Sequence, residues 1–164
     1  MADANKTLIT RAEVTSILTP ATGRKALVID GATIELGNTG IRDLSGIFDA
    51  GKVSAGKATV QRIGNTVTWM LEPVTLPAGA THPWVIISNT GGRLNGFLPT
   101  VLQARSTLIT TGLAPVRFVV GANGNVEIHY GVASSSYAGT LTFVTEAAWP
   151  TTLPGVANGQ PVGV

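Results

Sequence analysis

Short segments in which apolar and polar residues alternate recur along most of the chain, separated by turns rich in glycine and asparagine. In the clearest case two such segments meet at Gly64-Asn65, and the second places Val67, Trp69 and Leu71 on one side. Alternation with a period of two is typical of a β-strand that buries one face, whereas a helix needs a longer period. The pattern predicts an all-β chain.

Strands are predicted at six places after the first forty residues, and their turns follow at intervals of about ten residues, a spacing typical of sandwiches. The predicted segments are residues 57–63, 66–76, 84–88, 115–120, 125–132 and 137–145. The fold class predicted from them is an antiparallel β-sandwich, jelly-roll-like in arrangement.

The first twenty residues allow two interpretations. Thr10 and Glu13 have the spacing of a helix capping box, which favours a short helix. The residues that follow include several β-branched side chains and end at Pro20, which disfavours a long helix. A short helix and an extended arm are therefore equally compatible with this segment.

A hairpin is predicted over residues 26–36, because Asp30-Gly31 supplies the positive φ angles of a tight turn between two apolar segments. Residues 37–40 then read as a boundary loop. The predicted organisation is an N-terminal attachment and oligomerisation arm of residues 1–38, a β-sandwich of residues 39–149 and an extended C-terminal tail of residues 150–164.

Composition adds an expectation about assembly. Hydrophobic residues make up 44% of the 164 residues and charged residues only 12%, so a small domain of this kind is expected to hide part of its surface in an oligomer. The net charge of +2 is spread along the chain without a basic stripe, and we expect no nucleic-acid partner.

Cysteine is absent, which excludes disulfides and thiolate metal sites. No signal peptide and no apolar run long enough to span a membrane is recognised.

Titratable residues are too sparse to suggest a catalytic or metal site. His82 and His129 lie far apart in sequence without acidic ligands at metal-binding spacing, and we interpret them as a loop histidine and a solvent-facing strand histidine. Glu72, Glu127 and Glu146 are the carboxylates on or near strands, and Glu127 fits the polar face of its strand. We therefore predict no catalytic, metal or cofactor residues and no enzymatic activity.

Three further motifs have ordinary structural explanations. Residues 134–136 are serines that read as a turn rather than a nucleophile elbow. Residues 91–96 lack the ending of a phosphate-binding loop and are interpreted as part of a flexible surface loop over residues 89–99. Trp149 is either a packed anchor for the tail, the favoured interpretation, or a contact to a partner.

Two short motifs resemble a known family. Residues 40–46 (GIRDLSG) and residues 62–68 (RIGNTVT) look like the opening of a β-sandwich domain in minor tail, fibre and related virion proteins of phages that infect actinobacteria. The resemblance covers roughly residues 39–145. The family often reads T-G-W-R-D at the first motif, and this chain has Ile41 in place of that tryptophan.

The resemblance implies a homotrimeric, non-enzymatic virion protein, assembled in the host cytoplasm, whose N-terminal arm contacts other virion proteins. Its sandwich would project outward, and loops such as residues 89–99 would touch a host cell-surface glycan. A head fibre or capsid decoration protein is the main alternative. A phage carbohydrate-processing enzyme is a weaker one, which would require Glu72, Glu127 or Glu146 to converge in a groove.

Overall fold

The computed structural model describes residues 14–29, 31–101, 103–108 and 116–159. The described chain is built from short β-strands and three 3₁₀ turns, at Pro20–Thr22, Ser45–Ile47 and Thr90–Gly92. The strands are β1 Val14–Thr19, β2 Arg24–Ile29, β3 Ala32–Glu35, β4 Arg42–Asp43, β5 Ala55–Ile63, β6 Thr66–Thr75, β7 Trp84–Ile87, β8 Gln103–Leu108, β9 Val116–Gly121, β10 Val126–His129, β11 Ser136–Val144 and β12 Val156–Ala157. None of the helical turns in these ranges is long and apolar enough to cross a membrane.

The strands form three antiparallel sheets, with orders β1-β2-β3, β7-β10-β9-β8 and β11-β6-β5-β4-β12. The four-stranded and five-stranded sheets share one apolar core to which both contribute inward side chains. This core includes Val60, Val67, Trp69, Leu71, Ile86, Phe118, Ile128 and Leu141. The predicted all-β antiparallel sandwich is confirmed.

The β5–β6 hairpin forms where the sequence predicts it. Ile63 pairs with Thr66 around the Gly64-Asn65 turn, and Gly64 adopts a φ of +55°, which glycine tolerates without strain. Alternate β6 residues are buried, and the Trp69 indole donates a 3.1 Å hydrogen bond to the Phe97 carbonyl. Alternation therefore identifies the buried face of this strand correctly.

Two segments of the sandwich differ from the prediction. The strand predicted over residues 125–132 ends at His129, because Tyr130 adopts a φ of +63°, outside the β region. Strand β8 was not predicted, because its inward positions carry Ala104 and Ser106, which are too small or too polar to give an alternating pattern.

The N-terminal segment contains a strand that the sequence left open. Residues Val14–Thr19 form β1 and pair with β2, in keeping with their β-branched side chains. The capping-box residues Thr10 and Glu13 lie outside the described residues. The hairpin predicted over residues 26–36 is confirmed, with Ile29 paired to Ala32.

The tail and the glycine-rich loop are both integrated into the sandwich. In the tail, β12 pairs with β4, and Arg42 donates hydrogen bonds of 3.0 Å to the carbonyls of Pro154 and Gly155. In the loop over residues 89–99, Leu94 and Phe97 are fully buried in the core. The interpretation of this loop as a flexible surface element is therefore wrong, since its apolar side chains anchor it.

Candidate functional site

A buried arginine organises one end of the sandwich. Arg62 is only 1% exposed, and its guanidinium donates to the carbonyls of Gly64 (2.9 Å), Gly96 (2.7 Å), Ala147 (2.9 Å) and Ala148 (3.0 Å). Its hydrogen bonds thus join the β5–β6 turn, the glycine-rich loop and the chain after β11. No carboxylate pairs with it among the described residues, and burial lowers the pKa of Arg62.

Trp149 continues this contact toward the N-terminal sheet. The Arg62 guanidinium lies 4.8 Å from the centre of the Trp149 ring, and the Trp149 indole donates a 3.2 Å hydrogen bond to the Thr22 carbonyl. The side chain is nearly fully buried. Trp149 is therefore packed within the chain, and these contacts join it to Arg62 and the N-terminal segment rather than to the tail.

The chain between the N-terminal sheet and the sandwich is packed tightly against this anchor. A side chain at Gly37 would place its Cβ 2.4 Å from the Gly23 carbonyl and 2.8 Å from the Trp149 ring, so only glycine fits there. Arg24 and Glu35 form a 2.7 Å ion pair that raises the pKa of Arg24. Ala26, which pairs with Glu35 and shares its face, is fully buried, so this face of the sheet is turned toward the sandwich. We call the contact formed by Arg62, Trp149, Gly37 and the Arg24–Glu35 pair the joint.

The opposite face of the N-terminal sheet is apolar and exposed. Because cross-strand partners share a face, the register places Leu18 beside Lys25, and Leu27 beside Ile34. Leu18 is 65% exposed, and Ile34 and Leu36 are each 47% exposed. We define the apolar face as Leu18, Leu27, Ile29, Ile34 and Leu36. Among the described residues of β1–β3, Lys25 is the one charged residue that projects from the apolar face.

Four side chains lie close together at the C-terminal end of β10, and we call them the imidazole cluster: His82, Glu127, His129 and Tyr130. The His82 ring stacks on Tyr130 with 4.2 Å between centres and meets the His129 ring edge-on at 5.0 Å. His129 and Glu127 lie 2.6 Å apart, from Nε2 to a carboxylate oxygen. His82 lies in the loop before β7 and His129 on the outer face of β10, as the sequence indicates, and the contact between their rings is what the sequence does not reveal.

Backbone geometry brings the imidazole cluster together. The positive φ of Tyr130 turns its ring back over the end of the sheet, and its N–H donates a 3.1 Å hydrogen bond to Nδ1 of His82. The Tyr130 side chain remains 50% exposed. No part of the chain that the structure describes brings together three or more histidine and acidic side chains in a way that could hold a metal ion. The cluster therefore offers ring faces and hydrogen-bonding groups to solvent.

The joint and the imidazole cluster lie at opposite ends of the four-stranded sheet. Ala122, in the turn before β10, lines a pocket of about 410 Å³ together with Gly96, Trp149 and Pro150 at the joint. Tyr130 follows the other end of the same strand.

Comparison with known proteins found no matching family model, no matching curated protein and no matching solved structure. The resemblance to phage virion proteins therefore stays a prediction that rests on the two sequence motifs. In the structure the second motif forms the β5–β6 turn and contributes Arg62 to the joint. The first contributes Arg42, which holds the tail.

The three candidate carboxylates do not converge. Glu72 pairs with Lys57 at 3.5 Å on the outer face of the five-stranded sheet, whereas Glu127 lies on the outer face of the four-stranded sheet. Glu146 is exposed after the end of β11. Ser134 and Ser135 lie in the predicted turn and hydrogen-bond with Leu76, whereas Ser136 is the first residue of β11. These three carboxylates therefore do not face one another across one groove, the arrangement that the carbohydrate-processing alternative requires of them.

Two features of these surfaces escaped the sequence analysis. Arg62 occupies an inward position of β5, where the alternation would allow a buried residue, but nothing local indicates that backbone carbonyls surround it. The histidines meet because the loop before β7 docks beside the end of β10, a contact between residues 47 positions apart that spacing alone does not reveal.

Proposed function

We propose that the chain is a structural protein of a phage particle, a homotrimeric minor tail or fibre protein that presents its sandwich to the host surface. The observation that supports this most is the division of the molecule into two unlike ends. An exposed apolar sheet face lies at the joint end, and a polar aromatic cluster lies at the other. A protein that attaches at one end and makes contact at the other needs this kind of division.

The joint end is suited to association with further copies of the chain. A single three-stranded layer cannot bury its own side chains and needs a second layer to be stable. The apolar face has no acidic residue among its described members, so the same face of another copy is a chemically matching cover. We propose that the N-terminal sheets of three copies pack together through this face, and that the assembled end contacts other virion proteins.

The free end is suited to contact with a glycan. Exposed aromatic rings stack on the apolar faces of sugar rings, and neighbouring imidazole and carboxylate groups bind hydroxyls. The imidazole cluster combines these groups on one surface. This supports host attachment, although the contacting residues are those of the cluster rather than the largely buried loop over residues 89–99.

The association is tested with two variants of equal charge. Leu18→Asp/Ile34→Asp places two carboxylates on the apolar face, and the control Thr15→Asp/Thr33→Asp places them at exposed positions of the opposite face. In light scattering we expect wild type and control to have three times the 16.8 kDa chain mass, and the apolar-face variant to have the mass of one chain. A monomeric wild type would contradict the proposal.

Location is tested by immunogold electron microscopy of purified particles of the phage that encodes the chain. Label at the tail supports the proposed function. Label distributed over the capsid would replace it with the head fibre or capsid decoration alternative, and absence from particles would reject both.

A further inference from the structure

A second cleft, separate from the joint, lies on the outer face of the four-stranded sheet. It has a volume of about 240 Å³ and is lined by Arg105, Ser106, Thr107 and Arg117. Thr107 pairs directly with Arg117 across β8 and β9, and Arg105 pairs with Val119. The side chains of Arg105, Thr107 and Arg117 therefore project from the same face, with the two arginines in diagonal positions about 7–8 Å apart at the backbone.

Among the described residues of this sheet, the carboxylate that shares the face of the two arginines is Glu127, which lies diagonal to Arg117 and contacts His129 at 2.6 Å. Arg105 donates a 2.9 Å hydrogen bond to the neutral side chain of Gln103, and Arg117 lies 5.8 Å from the centre of the Tyr130 ring. Neither forms an ion pair within the described residues, and the sequence between β8 and β9, residues 109–115, contains no acidic residue. Two cations on one face, with the Thr107 hydroxyl beside Arg117, form a favourable setting for an anion.

The cleft adjoins the imidazole cluster. Arg117 pairs in register with His129 on one side and contacts the exposed Tyr130 ring beyond it. A sugar whose charged group enters the cleft beside Arg117 therefore has an aromatic surface within reach.

We infer that the cleft binds the anionic group, phosphate or carboxylate, of an acidic sugar, with the sugar ring against Tyr130. The inference deepens the proposed host contact by naming the chemical class of the glycan. It rests on that proposed function for the source of the ligand. Binding itself depends only on the residues of the cleft and the cluster.

The test is titration of the full-length protein, followed by two-dimensional NMR, with glucose 1-phosphate, glucuronate and uncharged glucose. We expect saturable shifts of the amides of Arg105, Thr107, Arg117 and Tyr130 with at least one acidic sugar and not with glucose. A response to glucose 1-phosphate alone assigns phosphate as the anion, and a response to glucuronate alone assigns carboxylate. Binding should weaken as salt is added, because the arginines are exposed.

Arg117→Gln should weaken binding of the responding sugar about tenfold or more, since it removes a charged donor from the cleft. Lys57→Gln is the matched control, with the same loss of charge at a partly exposed position of the five-stranded sheet, and should bind as wild type does. Equal loss in both variants, shifts that do not saturate, or no shift with either acidic sugar would overturn the inference. These measurements use isolated protein, so such a failure is distinguishable from the wrong location in the particle.

Discussion

The N-terminal sheet and the sandwich are both made of short antiparallel strands with tight turns, yet they bury their side chains to very different degrees. In β6 the inward residues Val67, Trp69 and Leu71 are almost fully buried. Among the described β1–β3 side chains, only Ala26 is buried, while large apolar residues such as Leu18 face solvent. The difference is the second layer, which the sandwich supplies to itself and the N-terminal sheet does not.

The comparison teaches that an apolar strand pattern indicates which side chains need cover but not what covers them. For the sandwich the cover is intramolecular. For the apolar face we propose other copies of the same chain. The joint connects the two regions, because Arg62 and Trp149 attach the N-terminal sheet, which lacks a second layer, to the sandwich, which has its own core.

The largest effect is expected in the sandwich core. Trp69→Ala removes a fully buried ring and its hydrogen bond to Phe97, and should lower the free energy of unfolding by about 3–5 kcal/mol. The comparison variant Leu18→Ala changes an exposed residue and should lower the stability of the isolated chain by less than about 0.5 kcal/mol. Denaturant unfolding at low protein concentration measures both. Equal losses would show that the two regions are not as different as proposed.

A smaller effect is expected at the joint. Arg62→Met leaves four backbone carbonyls without their donor and should lower the free energy of unfolding by about 3 kcal/mol. Arg105→Met, at an exposed position, is the control and should change stability by less than about 0.5 kcal/mol. Limited proteolysis of Arg62→Met should release the N-terminal sheet before the sandwich is cut. Cleavage of both at one rate would contradict the role of the joint.

Sequence reasoning succeeded where local pattern and burial coincide. The alternation of β6 and the Asp30-Gly31 turn identified strands correctly because each signal is local. It failed for β8, whose inward residues are small, and for the loop that contains Leu94 and Phe97, whose glycines suggested mobility.

The functional surfaces were harder to predict, because each is formed by contacts between distant segments. His82 and His129 meet only after the sheet has formed, and the carbonyls around Arg62 come from three parts of the chain. Leu18, in the arm to which the sequence assigns attachment and oligomerisation, is one of the exposed apolar residues. The exposed face of that arm needed the strand register to be defined.

The smallest effect concerns acid stability at the edge of the sandwich. Burial alone would raise the pKa of Asp43, but hydrogen bonds from Ser45 and the charge of Lys57 lower it below its usual value. A lowered pKa adds stability above the unfolded pKa, and this stability is lost as the pH falls through the folded pKa. Asp43→Asn should therefore cost about 1 kcal/mol at neutral pH and progressively less in acid.

Thermal unfolding at pH 7 and below pH 3 measures this difference. A constant gap between wild type and Asp43→Asn at every pH would contradict the assignment.

Hydrogen exchange of the full chain tests the central claim most directly, by comparing β2 amides with β6 amides in wild type and in Leu18→Asp/Ile34→Asp. The account predicts that β2 is protected in the wild-type assembly and exchanges about 100-fold faster in the variant, while β6 protection stays unchanged. Equal protection of β2 in both proteins would show that the N-terminal sheet is stable without a partner, and would contradict the account.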